Sequence, residues 1–304
     1  MYAKSDAQSR DNHDLWHVDG SRLALRGPER DLNKPFIAVL GGSETFGKFV
    51  DRPYPALLED RIGRPVVNLG VMHAGASLFS KERWLLDIAS GADLTIVQVM
   101  GAQNMSNRLY CVHPRRNDRF LTTSAALRII YPDVDFTEVN FTGHLLETLE
   151  RSSAARFEIV VEELRWAWVQ RMRRIVKSIS GDVQLLWMSR RSPDDAARDT
   201  SSSDPMFVTR AMLDELSPHI AGVTEVVGKG QDPSCQKVPF ACGRSDAPVH
   251  AAVADALARD VLPLLATEKG PDLAVEALAY DGDPAGHSFS ISSGTAVNRS
   301  ATRP

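Results

Sequence analysis

A serine hydroxyl becomes a useful nucleophile only when a base removes its proton, so chemistry here calls for a serine held at a turn and an imidazole able to reach it. Ser43 is such a serine: it follows the apolar run Phe36-Ile37-Ala38-Val39-Leu40, and Gly41-Gly42 lets the chain turn sharply in front of it. His250 is the matching imidazole, because it opens the last helical segment, where the strand ends of a doubly wound domain converge. His113 and His144 are further base candidates, both in a less regular stretch. Cys111 is a poorer nucleophile than Ser43, since His113 two residues on would diverge from it on a strand. Read without their neighbours, Gly41-Gly42-Ser43 also makes a plain tight turn, and His250 a helix-start histidine packed against loops.

The most unusual stretch is Asn104 to Phe120, which sets Arg108, Arg115, Arg116, Arg119 and His113 close together in a chain whose formal charge is −4. Guanidinium forks fit carboxylate, sulfate or phosphate, so these residues are candidates for holding an anionic part of a small substrate. The alternative is that they pair with Asp118, Asp133, Asp135 and Glu138 and hold a long insertion together. Glycines at the mouth of a helix could also cradle a phosphate, but Gly41 to Gly47 matches neither Gly-x-x-x-x-Gly-Lys-Ser/Thr nor Gly-x-Gly-x-x-Gly. No metal is expected: Cys235 and Cys242 lack ligating partners at a usable spacing, and His113, Asp133, Asp135 and His144 match no strong motif.

These residues need elements to position them. Short apolar runs at Phe36–Leu40, Val66–Gly70, Leu94–Met100, Val183–Met188 and Val223–Val227 read as strands. Between them, apolar positions at helical spacing predict helices from Tyr54, over Leu78–Ala89, over Ala154–Ile179, and over Pro205–Leu216, with a last one from Pro248. In the long helix, Ile159, Val160, Leu164, Trp168, Met172, Ile175 and Val176 form the apolar stripe, and its tryptophans are assigned to core packing. Alternating strands and helices predict a three-layer α/β/α sandwich with a mostly parallel sheet. The expected organisation is an N-terminal arm over 1–34 anchored by Trp16, Leu23 and Leu25, one α/β domain over 35–265, and a flexible tail over 266–304. A large irregular insertion over about 104–150 is expected to lie near the C-terminal strand edge.

Four blocks resemble those of the SGNH, or GDSL-like, hydrolases. Gly41-Gly42-Ser43 stands where that superfamily carries Gly-Asp-Ser, with glycine in place of the aspartate. Asn68-Leu69-Gly70 followed by Gly75-Ala76-Ser77 is similar to the second block, and Gly101-Ala102-Gln103-Asn104 to the third, usually Gly-x-Asn-Asp. His250 is similar to the histidine of the last block, although the residue three before it is Ala247 and Asp246 lies one position further. The resemblance covers about 35–105 and 245–262 and implies a divergent member with an SGNH or flavodoxin-like fold. It implies Ser43 as nucleophile, His250 as base, and Asp246 as the group orienting the ring. The oxyanion donors it implies are Gly75 N–H, with Gly70 as alternative, and the amide of Asn104 or Gln103.

The functional expectation is therefore a serine hydrolase or acyltransferase acting on an ester or thioester of a small, anionic substrate, with no cofactor. The competing expectation is a non-catalytic binding or structural protein of the same fold with an anion-binding arginine loop. A chain of 43% hydrophobic and 24% charged residues has the composition of an ordinary globular protein, and its mild acidity argues against a general nucleic-acid surface. Three irregularly spaced cysteines, no apolar run behind the N-terminus and no bilayer-length segment lead to the expectation of a cytoplasmic protein. Self-association into a homo-oligomer stays open.

Overall fold

The computed structural model describes residues 14–18, 20–195, 205–228 and 247–267, and the backbone of Ser290–Ser293. Leu15–Trp16 (β1) pairs antiparallel with Leu25–Arg26 (β2), and Leu23 and Leu25 sink into the core as the arm's expected anchors. The chain then enters Ile37–Gly41 (β3), the short helix Ser43–Phe46 (α1), Tyr54–Ile62 (α2) and Val66–Gly70 (β4). Ala76–Lys81 (α3), Arg83–Ser90 (α4) and Leu94–Gln98 (β5) follow. The expected single helix over Leu78–Ala89 is broken at Glu82, whose carboxylate accepts from both Trp84 Nε1 and Arg115 Nε.

The insertion is more ordered than its composition suggests. It contains a hairpin of Tyr110–Val112 (β6) and Phe120–Thr123 (β7), then Ala125–Ile130 (α5) and Thr142–Ser152 (α6). After it come the long helix Ala154–Ser178 (α7), Asp182–Ser189 (β8), Arg210–Asp214 (α8), Gly222–Val227 (β9), Ala247–Thr267 (α9) and Ser290–Ser293 (β10). The helix expected from Pro205 starts only at Arg210. The Arg191 guanidinium takes the carbonyls of Pro205 and Val208, which a helix would have used internally, and Phe207 between them has φ 64°. Of the expected tail, Ser290–Ser293 forms an edge strand; its other residues from 268 on lie outside the described residues.

The sheet runs β10-β9-β8-β5-β3-β4, with every pair parallel except β9 with β10. All five expected strands are present, in a three-layer α/β/α sandwich. Period-two alternation sorts their side chains between two cores. Ala38, Leu40, Val67, Leu69, Val97, Leu185 and Trp187 face the side of α3, α4 and α7. Ile37, Val39, Val66, Ile96, Leu186 and Val226 face α2 and α9. On α7, Trp168 is fully buried and donates from Nε1 to Met100 O at 2.7 Å, as a core tryptophan should. Trp166 and Ile159 depart from the expected core: both are half exposed, and Arg108 lies over the Trp166 ring at 4.5 Å.

Strand order matters most for the site. From β3 the chain goes to one neighbour, β4, and then crosses to the other, β5, so the crevice at the C-terminal ends of β3 and β5 is the topological switch point where doubly wound sheets bind ligands. Ser43 lies directly after β3 there.

The arm braces this edge through one side chain. Buried Arg26 donates to the carbonyls of Phe46, Gly47, Val50 and Asp51, satisfying the loop between α1 and α2. Arg26→Met should strand those carbonyls and destabilise the chain by about 3 kcal/mol, and Arg26→Lys should recover little because an ammonium cannot fork across the loop. Urea unfolding midpoints check both variants; a midpoint unchanged in Arg26→Met would show that the loop needs no brace.

Candidate active site

Ser43 is the first residue of α1 and is half-buried. The turn before it is tight: a Cβ on Gly41 would lie 1.9 Å from Thr45 Oγ1 and 2.5 Å from Gln98 Oε1, so only glycine fits. Gln98, at the end of β5, accepts on Oε1 from Gly42 N–H at 2.9 Å and Thr45 Oγ1 at 2.6 Å. Its Nε2 donates to Glu44 at 3.2 Å. Because Thr45 gives its proton to Gln98, the Tyr54 hydroxyl is the donor in the 2.7 Å bond between them, and burial pushes the Tyr54 pKa up, keeping that proton in place. Asn68 of β4 closes the arrangement by donating from Nδ2 to Thr45 O at 2.8 Å.

The Ser43 hydroxyl oxygen accepts a hydrogen bond from the peptide N–H of His73 at 2.9 Å. His73 has φ 58°, a left-handed conformation that costs a non-glycine residue energy and is kept only where its surroundings impose it. Asn117 imposes it. This fully buried side chain accepts on Oδ1 from Gly75 N–H at 2.9 Å and Leu78 N–H at 3.0 Å, and donates from Nδ2 to His113 O and Pro114 O. Its own peptide N–H donates to His73 O at 3.0 Å. The insertion is thereby stapled to the loop after β4, and His73 Nδ1 comes to 3.5 Å from Asp118 Oδ2.

The expected site residues fall into groups. Gly75 lies at close quarters, since a Cβ there would be 2.0 Å from Asn104 O, but its N–H is directed to Asn117; the peptide donor at Ser43 is His73 instead. Half-buried Asn104 turns its amide oxygen to Thr142 Oγ1 at 2.6 Å, which leaves the nitrogen as its donor end, while Gln103 is buried and its carbonyl accepts from Tyr110 Oη at 2.7 Å. Arg108 pairs with Glu163, Arg115 with Glu82 at 2.8 Å, and Arg116 with Asp118 at 2.9 Å, so three of the four guanidinium groups meet carboxylates. Arg119 is exposed and forms no ion pair among the described residues. His113 Nδ1 accepts from the N–H groups of Arg115 and Arg116, an arrangement that holds the loop; His144 is exposed on α6. Asp133 pairs with Arg156 rather than with any of the four arginines.

His250 occupies a different environment from the one its expected role requires. It is 0% exposed, its ring stacks on Tyr54 with centroids 5.9 Å apart, and its Nδ1 accepts from Tyr54 N–H at 3.0 Å. With Nδ1 as acceptor, the neutral ring carries its proton on Nε2, and that nitrogen is buried with no hydrogen-bond partner among the described residues. Such a tautomer has no lone pair on Nε2 with which to take a serine proton. Burial, with a smaller push from Arg26, drives the His250 pKa down to about 4. Asp246 lies outside the described residues, as do Cys235 and Cys242. Among the described residues no three His, Cys, Asp or Glu side chains gather as a metal site, and no helix is long and apolar enough to cross a membrane.

Gln98, Asn117 and His73 were not singled out by sequence reasoning, and Asp118 was named only as an ion-pair partner for the arginines, which it is for Arg116. The one available signal was a glutamine within the apolar run Leu94-Thr95-Ile96-Val97-Gln98-Val99-Met100, where a polar side chain must find a partner.

The His250 pKa carries a stability prediction. Its folded value of about 4 lies below the ordinary 6.5, so the unfolded chain binds the extra proton first. The favourable burial of neutral imidazole is fully present above pH 6.5 and is lost as pH falls toward 4, a loss of about 3 kcal/mol at 1.36 kcal/mol per unit. Chemical denaturation of the wild type between pH 7 and pH 4 should show this dependence and His250→Asn should show much less; equal slopes would mean that His250 is protonated as easily folded as unfolded.

Comparison with known proteins adds the following. Residues 1–265 match the family described as a domain of unknown function, DUF6473. Comparison with curated proteins finds no match. Among solved structures, the lipase Lip_vut3 from a goat rumen metagenome aligns at TM-score 0.39 and 11% identity, over 75% of this chain and 97% of that one. A two-domain esterase, CEX, active on acetylated mannans aligns at 0.37 and 15%, over 80% of this chain and 53% of that one. A catalytic mutant of Axe2, an acetylxylan esterase from Geobacillus stearothermophilus, aligns at 0.37 and 14%, over 76% and 94%. Likenesses this distant carry nothing about activity. The family match spans nearly the whole described chain, and the protein belongs to the DUF6473 family.

Proposed function

We propose that this protein is a serine hydrolase or acyltransferase of SGNH type, with Ser43 as nucleophile acting on an ester or thioester of a small substrate. The observation that carries the reading is the placement of a half-buried serine hydroxyl at the sheet's switch point, 2.9 Å from a peptide N–H and backed by the buried Gln98 amide. In the resting site that N–H, from His73, satisfies Oγ. When Oγ bonds to the acyl carbon, the developing oxyanion forms beside the same N–H and takes over the bond, with Asn104 Nδ2 as a second donor and Gln103 as its rival. Water resolving the acyl-enzyme gives hydrolysis, and another hydroxyl or amine gives transfer.

An anionic group on the substrate would be met by Arg116, which shares Asp118 with His73 and so is linked to the Ser43 loop by two contacts. Arg116→Gln should mainly raise KM for an anionic ester and leave a neutral ester unaffected. A parallel loss of kcat on both esters would remove Arg116 from substrate binding.

The second reading, a non-catalytic binding protein, is favoured by the buried, hydrogen-bonded state of His250. A serine-directed fluorophosphonate separates the two. The intact protein should gain one adduct, peptide mapping should place it on Ser43, and Ser43→Ala should abolish it. Folded protein that resists the reagent would favour the binding reading.

A further inference from the structure

We infer that the proton acceptor for Ser43 is His73, oriented by Asp118. The inference rests on the reading of Ser43 as nucleophile and names the base of that same site. A base must be near the hydroxyl, must have a free lone pair, and must be able to exchange its proton with solvent or the leaving group.

His73 meets these requirements through its backbone position. Its peptide nitrogen is 2.9 Å from Ser43 Oγ, and one covalent bond, about 1.46 Å, separates that nitrogen from the Cα bearing the imidazole. In the resting structure the ring lies against Asp118 and makes no hydrogen bond to Ser43 Oγ, so the contact for proton transfer has to form by side-chain rotation when substrate binds. The left-handed φ of 58° fixes the direction in which the side chain leaves the loop, and Asn117 holds it by accepting from Gly75 and Leu78 and donating to His73 O. Asp118 is the residue next to Asn117 in the chain, so the same staple delivers a carboxylate to 3.5 Å from His73 Nδ1. A carboxylate at Nδ1 favours a proton on that nitrogen and leaves the Nε2 lone pair to act as acceptor. At 39% side-chain exposure the ring can reach solvent, in contrast to His250 at 0%.

The step balances within the site. Ser43 Oγ forms a bond to the acyl carbon of the ester while its proton passes to His73 Nε2. The alcohol oxygen leaves with the bonding pair and takes that proton. A water then gives its proton to His73, attacks the same carbon, and restores Ser43 and the free carboxylic acid.

His73→Gly is the informative variant. Glycine accepts φ 58° without strain and keeps the N–H that meets Ser43, while removing the ring. Fluorophosphonate labelling of Ser43 in this variant should slow by about 10²–10⁴-fold, and added imidazole should restore part of the rate by filling the vacated space. Asp118→Asn should slow labelling in the wild type and should not slow it further in His73→Gly, because the two groups act as a unit. Labelling of His73→Gly at the wild-type rate would overturn the inference and leave Ser43 as nucleophile. Slowed labelling without imidazole rescue, or an independent loss from Asp118→Asn in the glycine variant, would also overturn it, since a structural role predicts both. Absence of Ser43 labelling in the wild type would instead defeat the functional reading on which the inference rests.

Discussion

The site depends on one buried amide. Gln98 ends β5 at the switch point, and its side chain reaches across to the turn after β3, receiving Gly42 N–H and Thr45 Oγ1 while donating to Glu44. Left unpaired in this position, an amide would cost a few kcal/mol; paired on both ends, it fixes the turn to the neighbouring strand. Gly42, Glu44 and Thr45, on either side of Ser43, are thereby tied to β5. The glycine at 41 is the steric counterpart, because any side chain there would collide first with Thr45 Oγ1 and then with the Gln98 amide oxygen it bonds. Under the proposed role of Ser43 as nucleophile, such rigidity sets its orientation before substrate arrives.

A second staple of the same kind, Asn117, ties the insertion to the loop after β4. Its effect is to make the insertion part of the site: the hairpin β6–β7 and the loop between its strands position Asp118, Arg116 and the left-handed His73 together. Of the arginines that look like an anion trap in composition, three meet carboxylates, those of Glu163, Glu82 and Asp118. Opposite, on the α2 and α9 side of the sheet, His250 serves the fold by stacking on Tyr54 and capping its N–H. Tyr54 in turn donates to Thr45, so the two sides of the sheet meet at the Ser43 turn through hydrogen bonds.

The strands and their order of appearance were legible because buried parallel strands read as short apolar runs between glycine or proline breaks, as in Phe36–Leu40 and Leu94–Met100. The position of Ser43 was legible for the same reason: two glycines directly behind such a run mark the strand end, and the serine after them opens the crossover. What could not be read was decided by contacts distant in sequence. The deviation of Pro205–Val208 from helix depends on a guanidinium at Arg191, and the break at Glu82 depends on Arg115. The placement of His73 beside Ser43 depends on a peptide N–H, and backbone groups leave no trace in residue type. Gly75 was the reasonable choice of donor, since its glycine marks a close approach; the approach proves to be to Asn104, and the N–H points to Asn117.

If Ser43 reacts while the His73 peptide receives the charge that develops beside it, a trapped adduct must show both at once. A crystal structure of the phosphonylated protein tests this most directly, because the phosphonyl oxygen stands in for the oxyanion. Phosphorus should be bonded to Ser43 Oγ with that oxygen about 2.7–3.1 Å from His73 N, and the Gln98 contacts to Gly42 and Thr45 should be unchanged. Phosphorus on any other residue, or a phosphonyl oxygen turned away from His73 N–H toward solvent, would contradict it.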